Sequence, residues 1–242
     1  MNNIVLFVVF VTGLVFFQHI QSHNVDEIIN NFIEERGGKH KLYGLRSVYM
    51  EGFREMLGQQ VPIKISIIQN EYFRTDFKIN KTNGYLVITP NEGWYHNPLQ
   101  SMHPVQLSIQ QLDTLKDNMD IAGPFFNYAG KGHKAEFKGK ESINGKTVSK
   151  IKLTLKNGNQ KFYFIEKESD LLVQTKKIIL EDDKAPLEIA TNYDDYKFVD
   201  GILFPHTISN PSEGIMDGVI TFTSILVNKP VDKKLPNPGI VT

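Results

Sequence analysis

The feature that most constrains the fold of this chain is an alternation of apolar and polar side chains with a period of two residues. It is clearest in two runs of apolar positions: Val61, Ile63, Ile65 and Ile67, and then Ile151, Leu153 and Leu155. Because successive side chains of a strand point to opposite faces, this pattern predicts strands with one dry face and one wet face. Turn pairs that supply the positive φ of tight hairpins occur at Asn83-Gly84, Asn144-Gly145, Asn157-Gly158 and Asp200-Gly201. The spacing of these signals predicts about eleven strands in an antiparallel meander.

Two segments with helical periodicity interrupt this pattern. Residues 25–36 predict an amphipathic helix that Gly37-Gly38 ends with a left-handed cap, and residues 39–45 predict a short second helix. Residues 104–120 predict another helical segment. A sheet this long must curl or close, so we expect the helices to cover its dry face. The fold class is therefore mainly β (α+β), and the length after residue 22 fits one domain over residues 23–242.

The N-terminus predicts export. Residues 4–17 are almost entirely apolar and no charged side chain precedes Asp26, which suits the apolar region of a secretory signal better than a membrane span. We expect a signal peptide over residues 1–22, with an uncleaved membrane anchor as the alternative. The chain contains no cysteine, which excludes disulfides, thiolate metal sites and lipidation of a cysteine after the signal. The exported protein is therefore expected to be soluble and not lipid-anchored.

Charge and motifs argue against nucleic-acid binding and against catalysis. Lys plus Arg and Asp plus Glu number 27 each, and a neutral chain without a basic block does not fit nucleic acid as a partner. His96, His103 and His133 lack the spacing of zinc ligands. Asp194 and Asp195 would point to opposite faces of a strand, so they cannot share a proton. We find no nucleophile elbow and no phosphate-binding loop, and we expect a protein that is not an enzyme and has no metal and no cofactor.

Four blocks of sequence resemble a known family. These blocks read EIINNFIEERGGKHKLYGL followed by RSVYMEGF, then GKESINGKTVSKIKLTLKNGNQKFYFIEKESDLLVQTK, then YDDYKFVDGILFPHTI, and finally ITFTSILVNKPVDKKLPNP. Together they resemble the LolA-like outer-membrane lipoprotein-sorting proteins, in a subgroup of exported proteins from Gram-negative bacteria. The resemblance spans residues 25–238, and its motifs are mainly turns and strand ends. It is therefore more specific for fold than for function.

The resemblance implies a curved antiparallel sheet that forms an incomplete β-barrel, with helices covering its concave face. It also implies a monomeric periplasmic carrier of acylated ligands, which takes the lipid moieties of lipoproteins from an inner-membrane donor to an outer-membrane acceptor. Relatives of the same fold bind other lipids or act as sensors. The alternative function is therefore a non-enzymatic periplasmic sensor or interaction scaffold whose cavity is filled by its own side chains.

A carrier of this kind needs apolar walls and an apolar lid. The expected wall positions are Ile63, Ile65, Ile67, Phe73, Trp94, Phe162 and Phe164. The expected lid positions are Leu112, Leu115, Met119, Phe125 and Phe126. The alternative is that each is an ordinary core residue, and a slip of one residue in register would exchange wall and surface positions. Carriers of this family also use a cavity arginine that bonds to the lid, and among Arg46, Arg54 and Arg74 we favour Arg74 for that role.

Overall fold

The computed structural model describes residues 25–56, 58–79, 81–179, 187–210 and 218–236. The predicted signal peptide lies outside these residues. The described residues divide into two compact units. The first contains residues 25–35, 127–179 and 187–189, and the second contains residues 36–126 and 190–236, apart from the gaps given above.

Thirteen antiparallel strands are present in the described part of the chain. They are β1 (Ser47–Met56), β2 (Gln59–Ile68), β3 (Tyr72–Ile79), β4 (Thr82–Ile88), β5 (Gly93–His96), β6 (Val105–Gln106), β7 (Lys134–Ile143), β8 (Lys146–Thr154), β9 (Gln160–Glu166), β10 (Leu172–Ile179), β11 (Leu187–Val199), β12 (Ile202–Asn210) and β13 (Gly218–Val227). Their order is β6-β5-β4-β3-β2-β1-β13-β12-β11-β10-β9-β8-β7. The sheet is therefore open, and the predicted antiparallel meander is confirmed with more strands than the turn signals indicated.

Three α-helices accompany the strands in the described ranges: α1 (residues 25–35), α2 (Gly38–Tyr43) and α3 (Ile109–Leu115). Gly37 and Gly38 have φ of 124° and 82°, which is the left-handed break predicted between the first two helices. Ser108 caps α3 through a capping box with Gln111. A turn of 3-10 helix (Lys116–Met119) continues it. Residues 104–120 are thus only partly helical, because Val105 and Gln106 pair with β5 as a short edge strand.

The turn predictions hold at three of the four pairs. Asn144-Gly145 and Asp200-Gly201 have positive φ at both residues, and Gly158 has φ of 88°. The prediction at Asn83-Gly84 is wrong, because both residues lie inside β4 and the positive φ falls on Lys81 instead. Gly84 serves another purpose: a Cβ built there would lie 2.2 Å from Cε2 of Phe77. The glycine makes room for the aromatic ring of the neighbouring strand.

The first unit combines α1 with strands β7 to β10. The apolar stripe of α1 is buried, with Val25 and Ile29 each 2% exposed. In the strands, Ile151 lies opposite Tyr163 and both are buried. The neighbouring position Lys150 lies on the other face, which is partly exposed. Residues 149–154 of β8 therefore show the alternation that the sequence predicts. Strand β9 does not, because Tyr163, Phe164 and Ile165 are buried in succession.

The second unit contains α2, α3, β1 to β6, β12, β13 and most of β11. Its α2 is fixed on the β11–β12 hairpin, where Leu203 N donates to Arg36 O at 3.0 Å and Lys41 Nζ donates to Gly201 O at 3.1 Å. A Cβ on Gly37 would lie 2.5 Å from Gly201 O, so glycine is required for this close approach.

Candidate functional site

Helix α3 packs on one face of the second unit, which we call the α3 face. Ile88 on β4, Leu112 on α3 and Met119 at the end of the 3-10 turn form a buried cluster. Four partly buried apolar residues pack against it: Phe73, Leu86, Leu107 and Leu115. The amphipathic spacing of Leu112, Leu115 and Met119 therefore directs all three toward the sheet.

Strand register extends the α3 face beyond the helix. Residues directly opposite each other in an antiparallel pair share a face, so the pairings define three rows across β2, β3 and β4. The rows are Ile67–Phe73–Ile88, Ile65–Thr75–Leu86 and Ile63–Phe77–Gly84. The α3 cluster packs on the first row and on Leu86 of the second row. The rest of the second and third rows continues the face away from the helix.

The second and third rows are incompletely covered. Ile65, Phe77 and Leu86 are only partly buried, whereas Ile88 in the first row is fully buried. Phe77 and Leu86 were not among the predicted wall residues. The two-residue period from Phe73 through Thr75 to Phe77 is the signal that could have identified Phe77. Apart from Thr75, the side chains of these rows are apolar, so the rows are a surface next to a short helix that an apolar chain could cover.

The C-terminal end of the α3 segment is fastened by hydrogen bonds. The amides of Ile121 and Ala122 donate to Gln69 Oε1 at 2.6 and 3.3 Å. Gln69 Nε2 donates to Asp120 Oδ1 at 2.8 Å. Asn70 N donates to Met119 O at 2.9 Å. The turn between β2 and β3 thus holds the residues that follow the 3-10 helix.

Arg36 holds the same residues from another side. Its Nη1 donates to Ala122 O at 2.8 Å, and its Nη2 lies 3.4 Å from Ile121 O. Burial lowers the pKa of the guanidinium, while Tyr196 and Asp120 oppose that shift by favouring its charged form. A buried guanidinium needs such acceptors to offset its desolvation. Sequence reasoning missed Arg36 because it considered arginines only on or beside the early strands, and Arg36 follows α1.

The arginines considered from the sequence lie elsewhere. Arg74 binds both carboxylate oxygens of Asp76, donates from Nη1 to Lys234 O at 2.8 Å, and stacks 4.6 Å from the ring centroid of Tyr85. Arg46 Nη1 donates at 2.9 Å to the backbone oxygen of Tyr43, the last residue of α2. Arg54 lies opposite Val61 and therefore belongs to the α3 face.

The predicted wall residue Trp94 and the predicted cavity arginine Arg74 lie on the face opposite to Ile65 and Phe73. Trp94 is paired with Val87, and Val87 with Arg74, so these three side chains share one row. Because Arg74 follows Phe73 directly on β3, the two side chains point to opposite faces. Trp94 and Arg74 therefore do not line the α3 face. Arg74 instead fastens the chain segment after β13, in which Lys234 N also donates to Tyr72 Oη at 3.1 Å.

The remaining predicted residues are distributed between the two units. Phe162 and Phe164 lie in the first unit, on the face that carries Lys150, whose Nζ is 4.9 Å from the ring centroid of Phe162. Phe125 is 2% exposed and Phe126 is partly buried, in the turn after Gly123. Of the predicted set, the structure brings together seven residues on or under the α3 face: Ile63, Ile65, Ile67, Phe73, Leu112, Leu115 and Met119.

Groups suited to metal binding are not found in the described ranges, where His, Asp and Glu do not cluster in threes. His133 accepts a hydrogen bond at Nδ1 from Lys156 N at 3.1 Å, and His206 is buried with Nδ1 3.1 Å from Phe204 O. Both imidazoles have local structural partners. Each helix in the described part of the chain is too short or too polar to cross a membrane.

Comparison with known proteins identifies the fold. No family model matches the chain, and no curated protein matches it by sequence. A LolA superfamily protein from Nitrosomonas europaea is similar in structure, with a TM-score of 0.51, 11% identity, and coverage of 85% of this chain and 93% of that one. A domain assigned to outer membrane lipoprotein sorting from Vibrio parahaemolyticus has the same TM-score and identity, covering 87% and 95%. The open antiparallel sheet with its helices is thus a LolA-like fold.

Proposed function

We propose that the protein binds acyl chains on the α3 face and serves as a periplasmic carrier or binder of acylated ligands. The observation that carries the proposal is the pair of apolar rows beside α3, in which Ile65, Phe77 and Leu86 retain accessible surface. Each methylene transferred from water contributes about 0.8 kcal/mol. An acyl chain laid along these rows would therefore bind firmly without a dedicated polar site.

The LolA-like fold supports a more specific proposal about the ligand. One similar solved structure is assigned to outer membrane lipoprotein sorting, and we propose that the ligand here is the lipid moiety of a lipoprotein bound for the outer membrane. An inner-membrane donor and an outer-membrane acceptor would then set the direction of transfer. Export through residues 1–22, a single monomeric domain over residues 23–242 and the lack of catalysis belong to the same proposal.

Movement of α3 would extend the binding surface. The helix has seven residues, too few to be stable without its packing. Its buried contacts centre on Leu112 and Met119, and its far end depends on Arg36 and Gln69. Displacing α3 would expose the row of Ile67, Phe73 and Ile88 to ligand while leaving the strands paired.

The direct test is native mass spectrometry of the mature protein, purified from a periplasmic extract without detergent. Organic extraction of the same sample would then identify any bound molecule. We expect a mass excess that extraction resolves into a phospholipid or an acylated peptide. A bare chain mass that persists after incubation with lipids would contradict the proposal.

Substitutions on the two faces of β4 would show which face binds the acyl chain. We expect Leu86→Gln to weaken displacement of a fluorescent fatty acid about tenfold, because about 1.4 kcal/mol of apolar contact is lost. Tyr85→Gln, on the adjacent residue and the opposite face, is the matched control and should leave the affinity unchanged. Equal losses in both variants would show that the ligand does not lie on the α3 face.

A sensor or interaction scaffold is the second candidate, and one observation favours it. The ring of Phe77 occupies the space above Gly84, with a Cβ at residue 84 only 2.4 Å from Cζ of Phe77. The protein thus fills part of its own apolar face. A scaffold of this kind would stay free of lipid in the mass measurement.

A further inference from the structure

The chain between the end of β4 and the middle of α3 has an unusual composition. Residues 93–112, which we call the β5–α3 segment, contain no Asp, Glu, Lys or Arg. Because 22% of the residues in the whole chain are charged, a segment of twenty residues would hold about four charged residues on average. Its polar side chains are instead neutral amides, hydroxyls and two histidines. The segment can therefore enter a medium of low dielectric constant without the cost of desolvating a charged Asp, Glu, Lys or Arg side chain.

Four large apolar side chains of the segment point into solvent. Leu99 is 62% exposed, Met102 91%, Val105 55% and Ile109 79%. They fall within eleven consecutive residues. Isolated exposed apolar residues are ordinary on protein surfaces, but four of them in one short segment without charged neighbours are a feature of interaction sites.

The backbone of the segment satisfies many of its own polar groups. Asn97 O accepts from the amides of Gln100 and Ser101 at 2.9 and 3.0 Å, and Asn97 Oδ1 accepts from Leu99 N at 3.0 Å. Ser101 Oγ donates to His103 O at 2.7 Å and lies 3.2 Å from His103 N. Because these groups are already paired, burying the turn costs less than burying an open loop.

The same segment is held in place by a hydrogen bond to β5 and by packing on the α3 cluster, which fixes the positions of its exposed side chains. Leu107 N donates to Gly93 O at 2.8 Å, and Leu107 and Leu112 pack against the α3 cluster. Val105 pairs with Tyr95 at the edge of the sheet, and Ile109 opens α3 after the Ser108 cap. Val105 lies on the same face of the edge strand as Leu107, beyond the part that α3 covers, and the packed leucines hold Val105 and Ile109 in their exposed positions.

We infer that the β5–α3 segment docks the protein on the surface of a lipid bilayer. The apolar tips would enter the boundary between headgroups and acyl chains, while the amides of the surrounding Gln and Asn residues bond to headgroups. A protein partner fits less well, because electrostatic complementarity fixes the specificity and register of protein interfaces, and this segment carries no Asp, Glu, Lys or Arg. Val105 continues the row of Ile65, Thr75 and Leu86 through Tyr95, so the segment borders the α3 face. Docking on a bilayer does not require that the α3 face bind acyl chains, so the inference does not depend on the proposed function.

The test is flotation of the mature protein with vesicles of equal parts phosphatidylcholine and phosphatidylethanolamine, which carry no net charge. We expect the protein to float with the vesicles, and we expect Leu99→Ser combined with Met102→Ser to reduce the partition coefficient about tenfold or more. Phe198→Ser is the matched control, because Phe198 is 67% exposed and lies outside the segment. This control should partition like the wild-type protein.

Three results would overturn the inference. The first is failure of the wild-type protein to float with uncharged vesicles, and the second is equal flotation of the double variant. The third is loss of flotation in molar salt, where the Debye length is about 3 Å, since that would assign binding to charged side chains. A separate sedimentation measurement on the wild-type protein and the double variant adds a fourth, because concentration-dependent association that is lost in the variant would assign the patch to a second copy of the chain.

Discussion

Arg36 illustrates how one residue can connect separate parts of the second unit. Its backbone oxygen accepts from Leu203 N, and its guanidinium donates to Ala122 O. Gly123 adopts φ of 86°, and a Cβ there would lie 3.0 Å from Arg36 Nη1. The arginine and the glycine therefore fit together at the end of the α3 segment.

We expect Arg36→Ala to destabilise the protein by about 1–2 kcal/mol, since hydrogen bonds from a charged donor are lost. Hydrogen exchange at the amides of Ile121 and Ala122 should accelerate, because these residues lose their hydrogen bonds to Arg36 and keep those to Gln69. Arg46→Ala is the control, since its bond to Tyr43 O lies outside this segment. Unchanged exchange in Arg36→Ala would show that Gln69 alone holds the segment.

Tyr128 should titrate at unusually high pH in the first unit. Burial, and then the hydrogen bond that its hydroxyl donates to Asp26 Oδ1 at 2.5 Å, raise the pKa of Tyr128 to about 12. The ordinary value for tyrosine is about 10. Since the folded pKa is the higher one, this contribution to stability is complete below pH about 10 and is lost as the pH rises through about 12.

Ultraviolet titration of tyrosinate in the wild-type protein and in Tyr128→Phe isolates this group. The difference between the two curves should be a single step near the raised pKa. The variant should also unfold with a weaker dependence on pH across the alkaline range. A difference step at the ordinary pKa of tyrosine would show that the bond to Asp26 does not persist in solution.

Among the strands, the hairpin between β3 and β4 shows tertiary packing overriding the local conformational preference for a turn. The pair Asn83-Gly84 favours a turn by its own conformational preferences, yet the chain turns earlier, at Lys81. The earlier turn lets Phe77 lie opposite Gly84. Packing of one aromatic ring on a residue without a side chain therefore outweighs a strong turn signal.

The substitution Gly84→Ala tests this register. A methyl group would lie 2.2 Å from the Phe77 ring and 2.8 Å from His96 O, so we expect destabilisation of about 1–3 kcal/mol from overpacking. Gly44→Ala is the control, because Gly44 has φ of −77° and its Cβ would meet nothing closer than 3.4 Å. Urea unfolding measures both. Equal stability of the two variants would contradict the observed pairing.

Although the whole chain has no net formal charge, its positive and negative residues are unevenly distributed along the sequence. Residues 131–179 contain twelve Lys and five Asp or Glu residues, a net charge of +7, and the rest of the chain carries the opposite charge because the totals balance at 27. These lysines are spread through β7 to β10 and do not form a run. Such a distribution attracts anionic surfaces despite zero net charge.

We expect the protein to adsorb on a sulfonate cation exchanger at neutral pH and low salt, and to elute at moderate salt as the charges are screened. Replacing Lys134 and Lys140 by Gln, both exposed on β7, should shift elution to lower salt. Replacing Lys229 and Lys233 by Gln removes the same charge outside this region and serves as the control. Passage of the wild-type protein without retention would refute the prediction.

Local sequence patterns predicted most of the helices and strands and the faces of several of them, because these depend on interactions between residues close in the chain. The period of two placed Ile63, Ile65 and Ile67 on one side of β2, and the helical spacing placed Leu112, Leu115 and Met119 together on α3. The two glycines after α1 likewise fixed the break before α2.

Which strand faces share a row, and which distant groups bond, depended instead on long-range packing. The register of β3 with β4 and β5 assigns Trp94 and Arg74 to the face opposite Phe73. The bond from Arg36 to Ala122 joins residues 86 positions apart. Such pairings depend on the packing of the whole unit, and neither residue carries a local signal for its partner.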